Sequence, residues 1–173
     1  MRWTETLLTE KCKEACKRVD VEFNTPVKIN GRLTSTLGRV KYERVGLFIK
    51  PSVVEFSKSF LENYSDYDVE QTILHEMSHY CVSVITGEHH GHDDAFREMC
   101  LMLGTTANTA TATNLTRTVP MNEIYKYTVK CKNCGNECGY HRAGKVVKAL
   151  QNSSTSCKCG RCGSCTLELI QNR

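Results

Sequence analysis

The sequence predicts an α+β fold: helices packed on a small sheet, one central helix carrying the chemistry, then a small β-rich module built around a metal. Three observations lead there. The 173-residue chain switches from helical to alternating apolar spacing and back again. His75-Glu76-Met77-Ser78-His79 lies in an apolar helical stretch, where residues i and i+4 share one face. Seven of the 11 cysteines fall between Cys131 and Cys165, largely in C-x-x-C pairs.

Taken in order, Leu7, Leu8, Cys12, Ala15, Cys16 and Val19 recur at helical spacing, predicting an amphipathic helix over Thr4 to Val19. Val21, Phe23, Val27 and Ile29 then alternate, predicting extended chain with a break at Pro26. Leu37 to Tyr42 and Val45 to Ile49 read as two short strands joined tightly around Glu43-Arg44. Pro51-Ser52 reads as the end of the sheet and the first turn of a helix running to Asn63. The polar break Ser65 to Asp68 offers N-caps for the motif helix, and Gly87 is its natural stop. That helix leaves little exposed face: Val69, Ile73, Leu74, Met77, Tyr80, Cys81, Val84 and Ile85 are all apolar, so burial is expected. A loop over 88–91 leads to a helix from Asp93 to about Gly104. Seven threonines between Gly104 and Pro120 give no clear period and read as a linker or excursion. A strand from Tyr125, a basic hairpin from Tyr140 to Leu150 and a last strand from Thr166 to Ile170 complete the expectation.

Composition bounds the class. Apolar residues at 40% and charged residues at 24% are those of a soluble globular chain. No apolar run approaches the ~18 residues of a membrane-spanning helix, and the start of the chain has no apolar export signal. An intracellular protein is expected, cytoplasmic, or nuclear in a eukaryotic source, with no membrane partner. An odd number of cysteines there speaks for metal binding rather than a disulfide framework. The scattered Cys12, Cys16, Cys81 and Cys100 read as buried thiols.

Charge is uneven: residues 1–120 carry 14 Lys/Arg against 16 Asp/Glu, and residues 121–173 carry 9 against 3, together the net +4. The cysteine-rich part is the basic part. Lys126, Lys130, Lys132, Arg142, Lys145 and Lys148 are its candidate nucleic-acid contacts. A solvated basic face is the plainer alternative.

Two imidazoles alone hold a metal weakly, and a catalytic zinc takes three protein ligands and keeps one open position. The extended metzincin pattern needs Gly and His three and six residues after His79; Val82 and Ile85 stand there instead. Glu98 is one candidate third ligand. His92 is the better one, a neutral imidazole where the loop enters the next helix, with His89 and His90 as rivals. Glu76, next to His75, is placed to act as general base on a water activated by the metal. A bare H-E-x-x-H does arise by chance. Here five of the six histidines lie between 75 and 92, and burying His and Glu together without a partner is costly.

Cys131-x-x-Cys134 and Cys159-x-x-Cys162 are two knuckles at four-cysteine zinc spacing, each followed by Gly (135 and 163). Cys157 and Cys165 flank the second pair, and Cys138 and His141 compete as well.

The order of these parts resembles the SprT-like (Spartan-type) metalloprotease family. The likeness rests on an R-x-x-x-x-L-G stretch from Arg32 to Gly38, H-E-x-x-H, His92 with Phe96 four residues on, and a C-terminal cysteine module. Asp93 departs from the Gly that often follows the third histidine in that family. The resemblance implies a zincin-like core with His75, His79 and His92 on a catalytic zinc and Glu76 as general base. It also implies a zinc ribbon in which Cys131, Cys134, Cys159 and Cys162 hold a structural zinc. The expected organisation is a metalloprotease core over 1–104, the threonine-rich segment over 105–120 and the ribbon over 121–173. By the same likeness the expected function is zinc-dependent endoproteolysis, with DNA-bound or DNA-crosslinked proteins as substrates and DNA as a partner. The competing reading is a non-catalytic DNA-binding protein with two structural zincs, whose mark would be a fourth ligand such as His89, His90 or Asp93. A zinc hydrolase of non-peptide amides is a third.

Overall fold

The computed structural model describes residues 2–34, 36–107, 117–153 and 156–172. The chain is mixed α+β and divides into two compact units, Met1–Thr116 and Arg117–Arg173. Among the described residues, no helix is long and apolar enough to cross a membrane.

The first unit opens with α1 (Glu5–Lys17), where the Thr4 hydroxyl caps the Leu7 N–H at 3.2 Å. Three strands follow, β1 (Val27–Asn30), β2 (Gly38–Val45) and β3 (Phe48–Ser57), in the order β1-β3-β2. β3 is central, parallel to β1 and antiparallel to β2. Val27, Val40 and Val54 align across the sheet and point one way, as do Lys28, Arg39 and Glu55 the other. The first face is apolar and meets α1 and α3; on the second, Arg39 and Lys41 hold the Glu55 carboxylate at 2.7 and 3.0 Å.

Two short-range expectations are corrected here. Pro51-Ser52 does not open a helix: β3 runs through it, and the helix α2 (Lys58–Asn63) begins only after Ser57 caps it. Val54 and Phe56 pair on both sides, and Pro51 sits opposite Tyr42 beside a register shift, where a missing N–H is tolerated. Glu43 and Arg44 are not the turn either. They pair with Lys50 and Ile49, and the chain reverses at Gly46-Leu47, with Gly46 at φ +63°.

The motif helix α3 spans Asp66–Thr86, capped by Ser65 at its start and by Gly87 at φ +73° at its end. It is buried over most of its length, but Val84 and Ile85 in its last turn, also expected to be buried, are 44% and 60% exposed. Val69, Ile73, Met77, Tyr80 and Cys81 are almost fully enclosed, each apolar chain contributing about 1.5–3 kcal/mol of transfer free energy. Its buried serine hydroxyls are satisfied within the helix: Ser78 donates to Leu74 O and Ser83 to His79 O, at 2.9 and 2.7 Å. α4 (Asp94–Leu103) packs on α3 and ends at Gly104.

The second unit holds α5 (Met121–Ile124), β4 (Tyr127–Cys131), β5 (Glu137–Tyr140), α6 (Lys145–Gln151) and β6 (Leu167–Gln171). β4 is central to an antiparallel sheet of order β5-β4-β6. The expected basic hairpin over Tyr140 to Leu150 is corrected: the strand stops at Tyr140 and α6 takes over after Gly144. Val147 is fully buried, and that enclosure outweighs the weak strand preference of Val146-Val147. Of the threonine-rich segment expected over 105–120, residues 108–116 lie outside the described residues.

Candidate metal centres

The i and i+4 spacing on α3 does place His75 and His79 together, and the start of α4 brings His92 to them. One ring nitrogen from each lies within 4.8 Å of the others. His79 Nε2 and His92 Nε2 are 3.2 Å apart. Two nitrogens ~2.05 Å from one tetrahedral zinc would be about 3.3 Å apart, so the donor set fits that ion. Phe96 floors the site. Its ring stacks on His79 at 4.1 Å and 24° and meets His75 and His92 edge-on or tilted, at 5.1 and 4.8 Å. Phe96 is fully buried, whereas His92 is exposed, so the approach to the trio lies on the His92 side.

Burial, and then the neighbouring rings, lower His75 and His79 to about 4. Both are therefore neutral at neutral pH, the form a metal ligand needs. A ring N–H of His79 donates to the His90 carbonyl. That bond fixes the tautomer and leaves Nε2 facing His92. Glu76 is 8% exposed, and burial pushes its carboxyl up to about 8, opposed by a hydrogen bond from the Val40 N–H. A dication beside it would reverse that shift.

The loop before α4 separates the rival histidines. His90 donates through Nδ1 to Asp93 Oδ2 at 2.9 Å, with its Nε2 3.0 Å from Thr86 Oγ1. Asp93 also caps α4, accepting from Phe96 N at 3.0 Å. His89 stands edge-on to Tyr42 at 4.9 Å. Neither these three nor the exposed Glu98 joins the cluster formed by His75, His79 and His92 among the described residues.

Three contributors from β2 were not visible beforehand. Gly38 faces Glu76 so closely that a β-carbon would stand 2.9 Å from Glu76 Cγ. Val40 supplies the N–H to the carboxyl, and Tyr42 donates to His79 O at 3.4 Å, its hydroxyl 3.3 Å from Ser83 Oγ. Gly38 ends the R-x-x-x-x-L-G stretch, which was the one available signal. Nothing in one sequence tells that its missing side chain makes room for a glutamate 38 positions on.

In the second unit the Sγ atoms of Cys131, Cys134, Cys159 and Cys162 gather within 4.8 Å of one another. Cys131–Cys162 and Cys134–Cys159 are 3.6 and 3.7 Å apart, near the ~3.8 Å expected for thiolates tetrahedral about one zinc. Gly135 and Gly163, at φ +69° and +72°, make the knuckle turns. The Ser164 N–H, then the Asn133 amide, point at Cys162 and lower its thiol to about 6; the Cys162 and Arg161 N–H groups lower Cys159. Such donors favour thiolate. Cys138, Cys157 and Cys165 lie outside this set, and His141 packs against Tyr125 at 4.7 Å.

The six basic positions fare unequally. Lys130 is paired with Glu137 at 3.0 Å and Lys132 with Glu168 at 3.8 Å. Lys126 lies over the Tyr127 ring at 5.7 Å, and Arg142, Lys145 and Lys148 are exposed, the last two one turn apart on α6.

One family model, that of the SprT-like family, matches residues 6–119. It spans the first unit and leaves the cysteine cluster outside the match. No curated protein and no solved structure matches the chain.

Proposed function

The chain belongs to the SprT-like family, and from that premise we propose that it is a zinc-dependent endopeptidase acting on DNA-bound or DNA-crosslinked proteins. The observation that carries the reading is the convergence of His75, His79 and His92 within 4.8 Å, with Glu76 buried at their side.

Zinc held by the three histidines would supply Lewis acidity, polarising a substrate carbonyl and bringing the pKa of water toward ~7. The rest is the protein's own work. Phe96 and the His90 carbonyl hold the rings in place and fix the His79 tautomer. Glu76, steadied by the Val40 N–H, takes the proton of the attacking water and passes it to the leaving amine. The approach from the His92 side admits substrate.

Cys131, Cys134, Cys159 and Cys162 would hold a second, structural zinc, since four thiolates leave no open position. Lys126, Arg142, Lys145 and Lys148 are the residues of this unit we assign to nucleic-acid phosphates; Lys130 and Lys132 have acidic partners and contribute less. Thiolate ligands suit a reducing intracellular compartment.

The test is cleavage of a protein crosslinked to DNA by the zinc-loaded full chain, beside the same protein free, with His92→Ala in parallel. The reading expects fragments from the crosslinked form and none from His92→Ala. No cleavage of either protein, with zinc bound, would refute it.

A further inference from the structure

The β2–β3 hairpin ends in an exposed apolar tip. Val45 is 54% exposed, Leu47 91% and Phe48 65%, in a unit that otherwise has the apolar core it needs. Isolated exposed apolar residues are ordinary, but three at one turn need an explanation. This turn is also not loose. Ile49 N donates to Gly87 O at 2.8 Å, and the Phe48 ring lies where a β-carbon on Gly87 would be 2.7 Å away. The tip is thereby fastened to the end of the helix that carries His75 and His79.

Its occupant is indicated by the strand it terminates. β2 lies at the edge of its sheet, and the same strand forms a wall of the candidate site. Val54 gives its N–H to Pro26 O on the β1 side, so Val40 opposite it turns its own N–H to the outer edge, where Glu76 accepts it. From there β2 passes Tyr42, on His79, and reaches Val45 five residues after Val40. At ~3.3 Å per residue that is about 17 Å, the reach of about five residues of extended peptide.

We infer that the tip formed by Val45, Leu47 and Phe48 is a subsite for apolar side chains of an extended polypeptide substrate, about five residues from the bond that is cut. The inference rests on the peptidase reading and names its substrate class: segments with apolar residues exposed, as in unfolded protein.

The experiment uses the zinc-loaded full chain in two arms. In the first, Glu76→Gln, with and without Leu47→Ser, is titrated into a labelled, reduced and carboxymethylated polypeptide. Leu47→Ser should raise the Kd roughly tenfold, the worth of covering one aliphatic side chain. An equal Kd, or no binding by either protein, overturns the inference, as does a dimer of the Leu47 form that Leu47→Ser dissolves, because the tip's occupant is then a second copy. In the second arm, cut sites are mapped in the same polypeptide with Glu76 intact. Apolar residues should be enriched four to six positions from the cut on one side, and Leu47→Ser should erase the enrichment; an unchanged profile also overturns the inference. Binding that depends on Leu47 without any cutting would count against the peptidase reading alone.

Discussion

Gly38 and Glu76 pack so closely that a β-carbon on Gly38 would stand 2.9 Å from Glu76 Cγ and 3.3 Å from its Cδ. The strand thus sets where the buried carboxyl lies. Gly38→Ala should push Glu76 off its position while sparing the three histidines. A displacement of that kind costs about 10–100-fold in kcat, with zinc content unchanged. Parallel kinetics and metal analysis check this.

Phe96 makes a different prediction, because it touches all three rings. Phe96→Ala removes a fully buried aromatic ring and should cost about 3–5 kcal/mol of stability. Phe96→Leu keeps more of the volume but loses the flat floor. It should fold and yet hold the first zinc about tenfold more weakly, the scale at which loss of a ligand's supporting contact acts. Chelator competition on the folded variant measures it.

The site was legible to the extent that it is local. His75 and His79 follow from helical spacing alone, and Cys131 and Cys134 from knuckle spacing and the glycine after them, whereas Cys157 and Cys165 left the second pair open until the four Sγ atoms were seen to gather. His92 could be ranked above His89 and His90 but not separated from them. What separates them is the hydrogen bonding of His90 to Asp93 and the packing of His89 on Tyr42, both set by tertiary structure. The errors lie where a local signal was overridden. Pro51 looked like a helix start until β3 paired on both sides, and Val146-Val147 looked like a strand until α6 buried Val147. Gly38, Val40 and Tyr42 could not be found, because their roles exist only once β2 lies along α3.

Glu55 gives a pH dependence. Burial pushes its carboxyl up, but hydrogen bonds from Lys41, Arg39 and Asn30 outweigh that and hold it below the ordinary carboxylate range. A depressed folded-state pKa adds stability above the unfolded value of ~4.5 and loses it as pH falls through the folded one. Wild type should therefore exceed Glu55→Gln in thermal midpoint at pH 7, with the gap closing below about pH 4.5. Melting curves across that range test the sign.

Cys159→Ser should remove one zinc per chain and unfold the second unit, whose own small sheet offers little core without it. Hydrogen exchange would show β4 and β6 amides losing protection while those of α3 keep theirs. Equal loss in both would mean that the two units fold together.

The central claim is that Glu76 moves the proton in a hydrolysis carried out beside His75, His79 and His92. The most direct measurement is turnover of a protein substrate by Glu76→Gln and by wild type, each shown to hold the same amount of zinc. The account predicts that Glu76→Gln binds zinc as wild type does and cleaves more slowly by the ~10²–10⁴-fold that general acid–base catalysis supplies. Equal cleavage by the two proteins, or no cleavage by zinc-loaded wild type, would contradict it.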